Sequence, residues 1–223
     1  MRNRATFLVF ALVLVLPTRP ALGDASRQAP SPAQTLRQLL DGNARYVQNR
    51  PERPNQRPSA AAQHPLAVIL SCSDSRVPPE IIFDQGVGSL FVVRAAGNTY
   101  DRLALQSIEY AVDHLGTRLI VVIGHDQCGA VTAAVEAYPK PAVGPMLENI
   151  YPAVRATHAS PGDKISRAID ENARLTALRL TAEPELAPKV KSGELQIAAA
   201  RYNLATGAIH FLPMANPPAP VTP

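Results

Sequence analysis

The chain has 223 residues, of which 46% are hydrophobic and 18% charged, which is enough for one domain with a substantial core and short for two. Its mean hydropathy is −0.03, and apolar residues occur along the whole chain, so a wholly disordered protein is excluded. No apolar stretch reaches the roughly 20 residues that a membrane-spanning helix needs, which excludes a polytopic membrane protein. Two cysteines are too few for a disulfide-rich scaffold.

Residues 1–23 have the parts of a secretory signal peptide. A basic start with Arg2 and Arg4 precedes an apolar run over residues 7–16, and a small-x-small cleavage motif ends at Gly23. A short N-terminal anchor is the alternative. Cleavage would remove three arginines and no acid, which lowers the formal net charge from +4 to +1. We therefore expect an exported, periplasmic protein with no membrane span after cleavage and no nucleic-acid partner.

A helix is predicted at the start of the mature chain. Ser31 fits the N-cap, Pro32 the first helical position and Gln34 the third. Its predicted inner face consists of Leu36, Leu39, Leu40, Tyr46 and Val47. Residues 50–65 contain four prolines, so we expect an extended connection there.

Three short, continuous apolar runs follow, at residues 66–70, 90–93 and 119–123. Such runs are typical of strands that are buried on both faces of a parallel sheet. Residues 101–114, between the last two runs, have a helical pattern whose inner face includes Ile108. The alternation predicts an α/β fold, a single domain with a central, mostly parallel β-sheet flanked by helices and preceded by an N-terminal helical arm.

The last part of the chain is expected to complete the domain. Further helices are predicted at residues 128–138 and 163–182. A hairpin is predicted to join residues 195–200 to residues 208–212. The domain thus spans residues 24–212, and a Pro-rich tail over residues 213–223 follows it.

Reactive side chains follow two of the predicted strands. Cys72 comes directly after the first apolar run, and His125 and Cys128 come after the third. The carboxyl ends of neighbouring parallel strands lie at one edge of a sheet, where sites form. One imidazole and two thiolates suit zinc, and three protein ligands leave the fourth position open, as in catalytic zinc sites. In an oxidising compartment, a Cys72–Cys128 disulfide is an alternative, as are two buried free cysteines.

Asp74 and Arg76 follow the first of these cysteines. The carboxylate of Asp74 could take the fourth metal position or accept a hydrogen bond from water on the metal. Arg76 could hold that carboxylate by a bidentate pair and keep it ionised. A surface ion pair without function is the alternative.

These residues resemble the signatures of the β-class carbonic anhydrases. Residues 72–76 fit Cys-x-Asp-x-Arg, residues 124–129 fit Gly-His-x-x-Cys-Gly, and residues 91–98 and 107–112 are similar to stretches typical of the family. The resemblance extends over residues 36–212.

The resemblance implies one zinc ion per chain, held by Cys72, His125 and Cys128. It also implies that Asp74 and Arg76 form a catalytic dyad that orients the water activated by zinc. In inactive states of some family members, the aspartate becomes the fourth zinc ligand.

The resemblance further assigns five residues to CO2 and bicarbonate. Gln63 corresponds to a bicarbonate-binding glutamine, and the backbone N–H of Gly129 is expected to face substrate. Phe91, Ala96 and Tyr110 correspond to the lining of an apolar CO2 pocket. Without the resemblance, Gln63 would be interpreted as a solvated loop amide, and Phe91 and Tyr110 as core residues.

The predicted function is reversible hydration of CO2 to bicarbonate and a proton by a dimer or tetramer, with Gln63, Phe91 and Tyr110 near the subunit boundary. Hydrolysis of carbon disulfide or carbonyl sulfide on the same fold is one alternative. A non-catalytic exported protein with a Cys72–Cys128 disulfide is another. Ile69 stands where family members with a second, inhibitory bicarbonate site have Trp, which argues against inhibition at that site.

Overall fold

The computed structural model of the chain describes residues 30–52, 62–140 and 144–214. The predicted signal peptide, nearly all of the Pro-rich tail and the middle of the proline-containing connection lie outside these ranges. Within the described ranges, no helix is both long enough and apolar enough to cross a bilayer.

The described residues alternate between helices and strands. The helices are α1 (Pro32–Val47), α2 (Pro79–Ile82), α3 (Arg102–Asp113), α4 (Gly129–Ala137), α5 (Pro145–Thr157), α6 (Lys164–Ala182) and α7 (Ala187–Ser192), with a 3₁₀ turn at Ala96–Asn98. The strands are β1 (Ala67–Ser71), β2 (Leu90–Arg94), β3 (Leu119–His125), β4 (Gln196–Tyr202) and β5 (Ile209–Leu212).

The five strands form one sheet in the order β2-β1-β3-β4-β5. The neighbouring pairs β2–β1, β1–β3 and β3–β4 are parallel. Strand β5 pairs antiparallel with β4 as the second strand of the predicted hairpin. The predicted α/β fold with a mostly parallel sheet is confirmed. Because β1 and β3 are neighbours, the reactive residues that follow them lie at the same edge.

Strands β1 and β3 are buried on both faces of the sheet, which explains their continuous apolar runs. Side chains of β1 alternate between the faces: Val68 and Leu70 pack on one cluster, and Ala67 and Ile69 on the other. Helices α3 and α6 cover the first face, and α1 and α2 cover the second. Helix α6 approaches β3 so closely that a Cβ on Gly124 would lie 3.3 Å from the backbone oxygen of Ile169.

Helix α1 begins with the predicted capping box at Ser31 and Gln34. Its predicted inner face is only partly correct, because Leu40 and Val47 are exposed. The buried side chain of Asn43 donates to the carbonyls of Ile82 and Gly207 and accepts from the N–H of Ile209, over 2.8–3.0 Å. This amide joins α1 to α2 and to the terminal hairpin. A search for apolar periodicity cannot find such a residue.

The other predicted helices agree with the structure to within a residue at each end. Helix α5 is not predicted, because Pro152 interrupts the helical pattern. Its buried residues Ile150, Tyr151 and Val154 complete a third apolar cluster that also contains Cys72 and Cys128. Packing in this cluster overrides the unfavourable local sequence.

Candidate metal centre

Three potential metal ligands meet at the carboxyl edge of the sheet. Cys72 follows β1, His125 is the last residue of β3, and Cys128 is the N-cap of α4. Their ligand atoms all lie within 4.8 Å of one another, and all three side chains are buried. The predicted grouping of these side chains is therefore present in the structure.

The imidazole of His125 is oriented as a metal ligand requires. Its Nδ1 lies 2.8 Å from the backbone oxygen of Asp126, to which Nδ1–H donates. The ring is fully buried, and its Nε2 has no hydrogen-bond partner among the described residues. Buried polar nitrogens are usually paired, so a lone pair left beside two sulfur atoms indicates a ligand for a cation.

The spacing of the two sulfur atoms fits zinc. Two thiolates bound at about 2.3 Å to one tetrahedral ion lie about 3.8 Å apart, and the Sγ atoms of Cys72 and Cys128 are 4.0 Å apart. Both cysteines are free, and the separation is about twice the length of an S–S bond. The donor set therefore fits zinc, and the disulfide alternative is not supported.

The electrostatics of the thiols also favour a cation. The hydrogen bond from Cys128 holds the pKa of Cys72 well below its usual range, and the N–H of Gly97, 3.3 Å away, also donates to its sulfur. The same sulfur–sulfur contact, together with burial, raises the pKa of Cys128. The contact thus favours ionisation of one thiol and opposes ionisation of the other. A cation would allow both thiols to ionise, as zinc binding requires.

Asp74 and Arg76 form the predicted bidentate pair beside these ligands. Arg76 Nε and Nη2 donate to Asp74 Oδ1 and Oδ2 over 2.9 and 2.8 Å, and the Arg76 N–H donates to Oδ1 over 2.9 Å. The side-chain hydrogen bonds from Arg76 hold the pKa of Asp74 well below its usual range. Asp74 Oδ2 is 3.9 Å from His125 Nε2, so an ionised carboxylate borders the candidate metal position. The catalytic role of the pair stays a prediction.

Two residues that support this edge have no predicted role. Arg94 donates to the carbonyls of Cys72 and Asp74, over 3.0 and 2.6 Å, and thereby holds the loop that carries a ligand. Gly97 donates to the Cys72 sulfur from a turn with φ 70°. An arginine and a glycine that follow the apolar run at residues 90–93 are the sequence signal that could have indicated both.

Two of the predicted substrate residues lie near the ligands. Ala96 begins the 3₁₀ turn and precedes Gly97, whose N–H contacts the Cys72 sulfur. Gly129 is the first residue of α4, directly after Cys128, where backbone N–H groups lack partners within the helix.

The other three predicted substrate residues are not brought to the ligands within one chain. Gln63 is exposed, makes no hydrogen bond with a described residue and leads into the amino end of β1, whereas Cys72 follows its carboxyl end. Phe91 pairs with Val68, three positions or about 10 Å before the strand end. The ring of Tyr110 lies 6.5 Å from that of Phe91 and is half exposed, so the interpretation of Tyr110 as a core residue is wrong.

Comparisons with known proteins identify the family. The carbonic anhydrase family profile matches residues 67–209. The β-carbonic anhydrase CafA of Aspergillus fumigatus has a similar structure, with a TM-score of 0.65 at 26% identity over 83% of this chain and 92% of that one. This chain belongs to the β-class carbonic anhydrases.

Other β-carbonic anhydrases and curated relatives agree with this assignment. Carbonic anhydrase 2 of Mycobacterium tuberculosis is 40% identical over 191 residues, which cover 79% of this chain and 91% of the relative. A chain from the crystal structures of two tetrameric β-carbonic anhydrases of Sordaria macrospora matches with a TM-score of 0.60 at 28% identity, over 69% of this chain and 83% of that one. β-Class carbonic anhydrases are zinc enzymes that hydrate CO2, and the comparisons do not support a carbon disulfide or carbonyl sulfide hydrolase.

Proposed function

We propose that this carbonic anhydrase interconverts CO2 and bicarbonate with one zinc ion per chain, held by Cys72, His125 and Cys128. The observation that carries the proposal is the buried cluster of these ligand atoms within 4.8 Å, with the unpartnered Nε2 beside an ionised carboxylate. When bound, zinc acts as a Lewis acid that lowers the pKa of water from about 15.7 toward neutrality.

Asp74 orients the water that attacks CO2. Its carboxylate cannot rotate freely, because Arg76 binds both oxygens, and its lowered pKa keeps it an acceptor. A hydrogen bond from the water to Oδ2 directs the attacking lone pair at CO2. The N–H of Gly129, at the positive end of α4, donates to the substrate oxygen on which negative charge develops.

A second copy of the chain completes the substrate pocket in this proposal. The metal ligands lie at the carboxyl ends of the strands. The three substrate residues Gln63, Phe91 and Tyr110 of the same chain lie toward the amino ends. Strand β2 is an edge of the sheet, and Leu103 and Tyr110 expose apolar surface on the adjacent α3. An unpaired strand edge beside exposed apolar side chains favours association, and the similar Sordaria structure, which is described as tetrameric, is consistent with it.

Mixing two variants tests the shared pocket. Gln63→Ala alters the substrate residue and Cys128→Ser the metal site, so each homodimer should hydrate CO2 poorly. If each pocket combines residues of two subunits, random 1:1 mixing restores about a quarter of the wild-type sites, because half the dimers are mixed and each has one intact pocket. Activity of the mixture no greater than the mean of the two variants would contradict the shared pocket.

Substrate choice is tested by stopped-flow rates for CO2, carbonyl sulfide and carbon disulfide at equal concentrations. CO2 should be turned over fastest by a wide margin. A preference for either sulfur compound would overturn the proposed reaction while leaving the metal site in place.

We also propose that the mature enzyme is exported to the periplasm. The support is the basic start, apolar run and cleavage motif of residues 1–23. Intact-mass analysis of enzyme from its native compartment should show the loss of about 23 residues. A full 23.9 kDa chain in the soluble cytosol would contradict export.

A further inference from the structure

A charged cluster on the far side of His125 from the metal position has no role in the proposed reaction. Arg201, on β4, donates from Nε to Asp126 Oδ1 over 2.6 Å. Its Nη1 donates to the Oγ of Ser166 over 2.7 Å and to Asp170 Oδ1 over 3.1 Å. The Arg201 and Asp126 side chains are only 20% and 19% exposed, so solvent screens this pair less than an exposed one.

Asp126 connects this cluster to a predicted zinc ligand. Its carbonyl accepts the Nδ1–H of His125 over 2.8 Å, and its own N–H donates to the carbonyl of Tyr202 over 3.0 Å. Its carboxylate is held by Arg201. A hydrogen bond to the sheet thus holds the backbone of Asp126, and an ion pair holds its side chain.

The turn that contains Asp126 needs this support. The next residue, Gln127, has φ 53°, a left-handed conformation that is unfavourable for a residue other than glycine. Contacts outside the turn must therefore offset the strain. The hydrogen bond to Tyr202 and the ion pair with Arg201 provide such contacts.

We propose that the Asp126–Arg201 ion pair is a positioning device for His125: it fixes the carbonyl that accepts Nδ1–H and so keeps the Nε2 lone pair aimed between the two cysteine sulfurs. Asp126 and Arg201 are positioning residues and touch neither substrate nor metal. Hydrogen-bond partners of metal-bound imidazoles fix their tautomer and orientation, and their loss typically costs about 10–100-fold in metal affinity. The inference rests on the proposed zinc site, but the His125 tautomer is a property of the zinc-free chain.

The test compares Arg201→Met, Arg201→Lys and Asp126→Asn with a matched control. Asp113→Asn breaks the Lys189–Asp113 pair, which is 2.8 Å long with side chains 30% and 31% exposed and does not contact the ligands. Zinc dissociation constants are measured by competition with a chromogenic chelator. The tautomer is measured by ¹⁵N NMR of the zinc-free protein, with the His125 signal assigned from His125→Gln.

Arg201→Met should raise the zinc dissociation constant about 10–100-fold and convert part of His125 from the Nδ1–H to the Nε2–H tautomer. Arg201→Lys keeps the charge and should recover part of both properties. Asp126→Asn keeps an acceptor but loses the charge, and should lie between Arg201→Met and wild type. The Asp113→Asn control should leave zinc affinity and tautomer unchanged.

The inference would be overturned if folded Arg201→Met kept the zinc affinity and the His125 tautomer of the wild type. If Arg201→Met does not fold, the same result in both Asp126→Asn and Arg201→Lys would overturn it. The Asp126–Arg201 ion pair would then only stabilise the fold, and its loss would be visible only as a lower Tm. The proposed zinc site would still stand. If the wild-type chain bound no zinc, the proposed function would fail. The inference would still be supported by a tautomer change in Arg201→Met and overturned by its absence.

Discussion

Gly97→Ala perturbs the turn beside the metal centre in a way that the structure allows to be worked out. Gly97 has φ 70°, and a Cβ there would lie 2.7 Å from Ile150 Cδ1 and 3.3 Å from the Cβ of Ala130. Its N–H donates to the Cys72 sulfur, and its carbonyl accepts from Asn172 over 2.7 Å. An added methyl group therefore affects both the backbone conformation and a contact with a candidate ligand.

The expected loss has two parts. The left-handed backbone conformation costs a non-glycine residue about 1–2 kcal/mol, and overpacking against Ile150 and Ala130 costs about 1–3 kcal/mol more. The free energy of unfolding should fall by about 2–5 kcal/mol, a large part of the roughly 5–15 kcal/mol typical of a domain. For a domain of this size, each kcal/mol lowers Tm by about 2–4 °C.

Gly116→Ala is a matched control. Gly116 also has φ 70°, but a Cβ there has nothing within 4 Å, so only the backbone cost of about 1–2 kcal/mol applies. Urea denaturation of the zinc-free variants should show the larger loss for Gly97→Ala, which should also bind zinc more weakly than wild type. Equal losses of stability in both variants, with zinc affinity unchanged, would refute the assigned packing and the N–H to sulfur contact.

Three further outcomes follow from the site and the core. Asp74→Asn keeps the three ligands and should retain zinc, but without the anionic acceptor its stopped-flow kcat should fall about 100-fold; an unchanged kcat would exclude the assigned role. Chelation should expose two titratable thiols, and oxidation of the stripped chain should then join Cys72 to Cys128, whose sulfurs are 4.0 Å apart; zinc reloading before reduction would contradict this. Asn43→Ala leaves three buried backbone groups unpaired and should lower the free energy of unfolding by about 3 kcal/mol or more, whereas a loss below about 1 kcal/mol in urea denaturation would show that those groups find other partners.

The fold was predictable because the strands β1 and β3, inside the sheet, are buried on both faces. Continuous apolar runs identify β1, β2 and β3, and the helical pattern over residues 101–114 predicts α3 between the last two. Parallel order then places Cys72 and His125 at one edge, so the candidate ligands could be predicted from positions in strands before any distance was known. Helix α5 was missed because tertiary packing compensates for Pro152.

Other features depend on contacts that a linear pattern does not contain. Asn43 is buried through hydrogen bonds to segments 39 to 166 residues away. The links from Arg94 to the Cys72 carbonyl and from Arg201 to Asp126 likewise join distant segments. Tyr110 would be interpreted as a core residue without the family resemblance, yet it is half exposed within the single chain, because an aromatic residue in a helix can lie on the surface as well as in the core.

The most direct test of the proposed function titrates zinc into zinc-free enzyme with reduced cysteines and follows CO2 hydration by stopped flow. Activity should rise in proportion to zinc and stop rising at one ion per chain, and His125→Gln, which lacks the imidazole ligand, should remain inactive at the same zinc concentration. Full hydration activity without zinc, or none at one zinc per chain, would contradict a catalytic metal centre at Cys72, His125 and Cys128.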